Sequence, residues 1–239
     1  MPKYKVLSTK KISPSLKLSA KEHGIDIIEK EFISIHPILT TEKYNEVYKY
    51  IIREHVYAVF TSANAVAPFQ KYLHQNDVNY MVNWKIFCLS NQTKKALFPY
   101  FSEENIVATA ENASALANEI IALGINELVF FCGNKRRDEL PEILKKNGVK
   151  LQEVIVYETT ETPSLITDNL ESILFFSPSA VKSFFSVNKL NSNTVCFAIG
   201  ETTAEAITGY AKNKIIISAT PGQEEMIRDL IQYYTNVFN

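Results

Sequence analysis

The sequence predicts an α/β protein made of two similar parallel-sheet domains. Three observations carry that expectation. Short apolar, β-branched runs alternate with longer amphipathic segments along the chain; the pattern of one half recurs in the other; and the recurrence is circular, so one copy interrupts the other.

Strands are expected over 4–9, 24–35, 57–62, 84–90, 105–109, 127–132, 149–159, 172–177, 194–200 and 214–220, each an apolar run with few breakers. The run at 24–35 reads as one long strand. Helices are expected over 40–54, 111–123, 135–148 and 221–234, where apolar residues recur near a 3.6-residue period.

The repeat fixes the domain plan. AVFTSANAVAPF (58–69) answers ILFFSPSAVKSFF (173–185), IFCLSNQTKKAL (86–97) answers VCFAIGETTAEAI (195–207), and NIVATAENASALANEII (105–121) answers KIIISATPGQEEMIRDLI (214–231). The N-terminal KYKVLSTKK…KEHGIDIIEKEFISI instead parallels the central LVFFCGNKR…KKNGVKLQEVIVYET. One domain is therefore expected over 38–155, inserted into a discontinuous one of 1–35 plus 160–239. The two linkers, 31–37 and 154–161, are extended enough to pair as a two-stranded β hinge. A cleft between such domains, at the carboxyl ends of the strands, is the expected ligand site.

Composition excludes several classes. Lys plus Arg number 25 against 26 Asp plus Glu, a net charge of −1, so nothing electrostatic points to nucleic acid or an anionic membrane. Charged residues make up 21% and Gly and Pro number 7 and 9, which argues against disorder and low-complexity structure. Cys88, Cys132 and Cys196 lie in apolar runs without CxxC spacing and read as buried thiols in a reducing compartment. The four histidines lack metal-ligand spacing, so no metal is expected. Neither a signal peptide nor an apolar run of about 18 residues is present, which makes the cytoplasm the expected address.

Small polar residues gather at strand ends: Thr9, Ser62, Ser90, Gly133, Ser177 and Gly200, each read as followed at once by a helix. Free N–H groups at helix starts, with Ser, Thr and Asn side chains, bind carboxylate or phosphate without net positive charge. The same residues also serve as ordinary helix caps. Lys135, Arg136 and Arg137 are read as opening a helix, where cations oppose the dipole, which hints at an anionic ligand; a solvated face paired with Asp138 and Glu139 is the plainer account. Tyr157 falls on the second linker, where a phenol is placed to donate a hydrogen bond or act as a weak acid. No GxxxxGK[ST], GxGxxG or GxSxG motif appears.

The ordered set VFTSANAV, GNKRRDELPEILKKNGVKL…VYET, FFSPSAV, IGETTAEAI and ATPGQEEMIRDLI resembles the uroporphyrinogen-III synthase family across essentially the whole chain. Gly133, Arg137, Leu140, Gly148 and Tyr157 fall on the family's G…R..L…G…Y pattern. The resemblance implies two α/β domains on a two-stranded β-ladder and a cofactor-free hydro-lyase of tetrapyrrole synthesis. Such an enzyme cyclises hydroxymethylbilane, which carries eight carboxylates, with loss of water and inversion of the last pyrrole ring.

The resemblance implies that Tyr157 assists loss of the hydroxyl and that Ser62, Thr93, Ser177, Ser179, Thr202 and Thr203 bind acetate and propionate arms. Thr9, Lys10, Asn64, Ser90, Gly133, Asn134, Arg137 and Gly200 complete the expected binding set. Two positions depart from the pattern: Thr9-Lys10 stands where Thr-Arg is usual, and Ser90 where a Gly is usual. A lysine keeps the charge and loses the bidentate fork. The implied partner is the small-molecule substrate alone, with the protein a monomer. A non-catalytic, hinged binding protein for an acidic small molecule is the rival reading.

Overall fold

The computed structural model describes residues 3–75, 83–90 and 92–236. In chain order the elements are β1 (Tyr4–Ser8), α1 (Pro14–Glu22), β2 (Ile25–Glu29), β3 (Ile33–Pro37), α2 (Thr41–Ile51), β4 (Val56–Phe60), α3 (Ala63–Val66), α4 (Phe69–Gln75), β5 (Trp84–Leu89), α5 (Gln92–Leu97), β6 (Ile106–Ala110), α6 (Ala113–Ala122), β7 (Glu127–Gly133), α7 (Glu139–Lys146), β8 (Lys150–Glu161), β9 (Ser172–Phe175), α8 (Pro178–Phe185), β10 (Val195–Ala198), α9 (Glu201–Thr208), β11 (Ile215–Ile217) and α10 (Gln223–Asn236). They divide into two units, Met1–Ser34 with Thr160–Asn239, and Ile35–Thr159.

The first unit holds a five-stranded sheet in the order β11-β10-β9-β1-β2, and the second a six-stranded sheet in the order β3-β8-β7-β4-β5-β6. Pairing along β1–β2, β1–β9, β9–β10 and β10–β11 is parallel throughout, as it is along β4–β5, β4–β7, β5–β6 and β7–β8. With the repeat's correspondences, β7 with β1, β8 with β2, and β4, β5, β6 with β9, β10, β11, the two sheets carry the same strand order. The circular permutation legible in the sequence is thus a permutation of one sheet plan.

The helices follow the same rule. In the first unit α1 and α10 pack on one face around Ile12, Ala20, Met226 and Leu230, while α8 and α9 cover the other around Val181, Phe184 and Ile207. In the second, α6 and α7 cover one face around Leu116, Ile120, Leu140 and Leu144. The other face takes α2 to α5 on an aromatic core of Phe60, Phe69, Trp84 and Phe131, with Trp84 stacked on Phe131 at 5.2 Å between centroids. Strands covered on both faces read as continuous apolar runs. Within β7, Leu128, Phe130 and Cys132 serve one core and Val129 and Phe131 the other, the period-two alternation of a pleated strand. Gly24 (φ +75°) and Gly148 (φ +76°) reverse the chain after α1 and α7, matching turns of the two copies that need a left-handed residue.

Three sequence readings are corrected. The run 24–35 is two strands: the exposed, charged Lys30 and Glu31 interrupt it, β2 stays beside β1, and β3 joins the other sheet at its edge beside β8. Along the two crossings Thr162 N–H donates to Phe32 O at 2.9 Å and Ile38 N–H to Val156 O at 2.9 Å, so β3 and β8 run antiparallel. The strand ends at Thr9 and Gly133 are followed by loops, not helices. Pro14 sets the start of α1, and α7 begins only at Glu139. The basic cluster therefore precedes α7 and does not oppose its dipole.

All three cysteines are buried in strands, and desolvation pushes their thiols up, Cys88 to about 11 and Cys132 and Cys196 to about 12. The native protein should give no rapid reaction with a thiol reagent at pH 8 and three equivalents in guanidinium. A fast-reacting thiol before denaturation would contradict the packing of these strands.

Candidate functional site

Parallel strands joined by crossover helices all finish at one edge of their sheet, and the edge is a crevice where strand order reverses. In the first unit that reversal falls between β1 and β9; in the second it falls between β7 and β4. The residues named from the sequence lie at these two edges.

In the second unit the reversal point is built from three adjacent strands. Phe60 of β4 pairs with Phe131 of β7, so Ser62 and Gly133, each two residues further on, are level. The β7–β8 register shifts between Cys132 and Gly133, which sets Gly133 opposite Tyr157. Tyr157 is half-buried, and the Ser62 side chain at the end of β4 acts on its phenol. Burial pushes the phenol above its ordinary value, and the Ser62 side chain only partly opposes this. Tyr157 is consequently a neutral hydrogen-bond donor at physiological pH. Ser62 Oγ also accepts from Asn64 N–H at 3.2 Å, starting the short helix α3.

Asn134 is exposed, yet its amide is engaged on β8. Its Oδ1 accepts from Thr159 N–H at 2.8 Å, its Nδ2 donates to Thr159 O at 3.4 Å, and its own N–H donates to Tyr157 O at 3.2 Å. Further along the edge, Ser90 N–H donates to Ala110 O at 2.8 Å, and Thr93 is buried in the first turn of α5.

The basic cluster is disposed differently from its reading as an anion site. Arg136 pairs with Glu153, one nitrogen lying 2.7 Å from the carboxylate, and with Asp138. Its charge is thereby matched inside the loop that leads into α7. Arg137 is exposed. Glu153, three residues before β8 crosses the level of Val156, is a partner that the sequence alone does not single out; only its charge hints at the pairing.

In the first unit Thr9 is buried and its hydroxyl is committed: it donates to Leu174 O at 2.9 Å and accepts from Phe176 N–H at 3.2 Å, joining β1 to β9. Lys10 is exposed, its ammonium 6.0 Å from the centroid of the Phe176 ring. Ser177 Oγ accepts from Ala180 N–H at 3.2 Å and caps α8, and Ser179 is half-buried in the first turn of that helix. Gly200 precedes α9 without a side-chain cap; Thr202 is exposed and Thr203 buried in its first turn. Thr93 and Thr203, matched by the repeat, thus hold the same place in the two units. Of the named residues, Ser62, Gly133, Asn134 and Tyr157 form one cluster, Thr9, Lys10 and Ser177 gather about the end of β9, and Arg137 joins neither.

A cavity of about 470 Å³ lined by Arg53, His55, Tyr57, Asn126 and Glu127, among others, lies at the amino ends of β4 and β7. It is at the edge opposite the cluster and holds none of the named residues. Among the described residues no group of three His, Cys, Asp or Glu side chains is arranged to hold a metal, and no helix is long and apolar enough to cross a membrane.

The sequence model of uroporphyrinogen-III synthase HemD matches residues 15–228. Among solved structures, a mutant uroporphyrinogen III synthase from the extremely thermophilic bacterium Thermus thermophilus is similar with a TM-score of 0.66 at 12% identity, covering 98% of this chain and 99% of that one. The uroporphyrinogen-III synthetase of Helicobacter pylori is similar with a TM-score of 0.63 at 17% identity, covering 96% and 99%. At such identities the structural likeness carries the fold, and the family match carries membership. With a family model spanning nearly the whole sequence, and the same architecture found in synthases from two bacteria, the chain belongs to the uroporphyrinogen-III synthase family.

Proposed function

We propose that the chain cyclises hydroxymethylbilane to uroporphyrinogen III, with Tyr157 as the donor that assists departure of the terminal hydroxyl. The single observation that carries this reading is the Tyr157–Ser62 pair at the reversal point of the second unit's sheet, a protonated phenol beside a serine at the crevice edge. Loss of water leaves a reactive azafulvene, and unassisted closure yields the uninverted isomer I. Catalysis then consists mainly of holding the chain so that the substituted carbon of the last ring attacks, through a spiro intermediate.

The exposed and half-buried donors at the strand ends and helix starts, among them Thr202, Ser179, Ser90 and Lys10, suit the carboxylate arms, with Arg137 in the loop before α7 a further cation, because N–H and hydroxyl groups at helix starts bind anions without a lysine for each. Thr9, Thr93 and Thr203 are buried, and the Thr9 hydroxyl is committed to the backbone of β9 and Phe176. We further propose that the protein works in the cytoplasm as a monomer, without nucleic acid; the balanced charge and the three buried thiols support this.

The test is a coupled assay in which hydroxymethylbilane is generated in situ, the products are oxidised, and isomers I and III are separated. A dominant isomer III peak is expected; isomer I alone at the uncatalysed rate would refute the proposal. Tyr157→Phe should lower kcat by about 100-fold while leaving the thermal midpoint nearly unchanged, since it removes one hydroxyl and keeps the ring. Because the phenol's pKa is raised, its proton is present below the ordinary tyrosine value and is lost only as pH climbs through the higher one. The rate should therefore show no loss from phenol ionisation between pH 7 and about 10, and a limb that vanishes in Tyr157→Phe within that window would contradict the assignment. Thr202→Ala should raise KM by about tenfold or more, as expected for one lost hydrogen bond to a charged group; an unchanged KM would leave Thr202 with a purely helical role.

A further inference from the structure

The sequence reads Gly133 as a strand-end glycine offering its N–H to the ligand, and its surroundings give another reason for it. A Cβ built there would collide with Tyr157, well inside contact with Cζ and Cε2 and 2.8 Å from the hydroxyl oxygen. Gly133 does not share the positive φ of Gly24, Gly124 and Gly148. What the position requires is empty space rather than backbone freedom, and the space is filled by the phenol ring.

The neighbouring contacts act on the same side chain. The register shift between Cys132 and Gly133 brings the glycine level with Tyr157. Just past it, Asn134 makes three hydrogen bonds to the main chain of Tyr157 and Thr159, continuing the ladder where regular pairing has ended. Ser62, whose Oγ accepts from Asn64 N–H, is the side chain from β4 that acts on the phenol. The phenol is therefore seated on β7 and its strand is clamped from the loop after β7, all within one unit.

We propose that Gly133 and Asn134 are positioning residues for Tyr157, the glycine as the seat of the ring and the asparagine as the clamp on its strand, and that neither binds a substrate carboxylate. The proposal rests on Tyr157 being the catalytic donor. The atoms a methyl group at 133 would meet are the far end of a rotatable side chain, so the ring moves in preference to the backbone. The energetic consequence falls on the phenol's position more than on folding, and small displacements of a catalytic group have large kinetic effects.

The experiment is a double-mutant cycle in kcat, KM and thermal midpoint with Gly133→Ala, Tyr157→Phe and both together. Gly133→Ala is expected to lower kcat about as far as Tyr157→Phe, with KM within about twofold, and the double variant to be no slower than Tyr157→Phe alone. The change in thermal midpoint from Gly133→Ala should be similar in both backgrounds, since the two shortest approaches of the methyl group are to ring carbons that phenylalanine keeps. Asn134→Ala should lower kcat less, leave KM unchanged, and have no effect on kcat in the Tyr157→Phe background; it also carries the test if Gly133→Ala does not fold. A raised KM at normal kcat, or kcat losses that multiply in the double variant, would overturn the proposal while leaving Tyr157 in its role. A Tyr157→Phe enzyme with wild-type kcat would remove the catalytic reading and the proposal together.

Discussion

Everything at the candidate site follows from the parallel direction of the strands. A parallel neighbour can be reached only by a crossover, and a right-handed crossover returns the chain to the same starting edge. The ends of all the parallel strands in a unit consequently open on one edge, whatever the sequence separation; only β3, antiparallel beside β8, runs the other way. Residues as remote as Ser62, Gly133 and Tyr157 are thereby brought level, and Thr9 is brought to Leu174 and Phe176. The apolar cores on both faces keep the sheets in that register, and some of the small polar residues at the edge, such as Thr9, help to hold it.

The two units share a plan and finish it differently. At the reversal point of the first, Thr9 closes the gap between β1 and β9 with a hydroxyl that both donates and accepts. At that of the second, Gly133 leaves a gap for an aromatic ring brought in from β8. One edge is stapled by a buried side chain, and the other is kept open by the lack of one. Charge is treated with similar restraint: Arg136 is matched by Glu153 and Asp138, while Lys10 in the first unit and Arg137 in the second are exposed.

Much of the fold is legible in the sequence because it rests on local chemistry. Alternating apolar runs mark buried strands, and the circular repeat carries the strand order with it. The boundaries that fail are those set by tertiary contacts. The split of 24–35 depends on β3 leaving one sheet for another, which no periodicity encodes. The start of α7 depends on the partners of Arg136, one of them on β8. Ser62, Gly133 and Tyr157 can each be named from the sequence, but the reason for the glycine is not visible there, since it lies in a register shift between two strands. Hydroxyls such as Thr9 and Thr202 look alike in the sequence, and only the structure shows that Thr9 is buried and bonded to the backbone while Thr202 is exposed.

The interrupted first unit also orders events during synthesis. Its sheet places β1, from the start of the chain, between β2 and β9, and β9 begins only at Ser172. Chain growth is vectorial, and domains generally fold as units as they emerge. Once β8 has left the ribosome the second unit has all of its strands, while β1 and β2 still await the partner that covers their inner edge. The nested unit therefore completes first, with the open edge of a two-stranded fragment held in waiting, and the final segment through α10 closes the sheet that the first residues began.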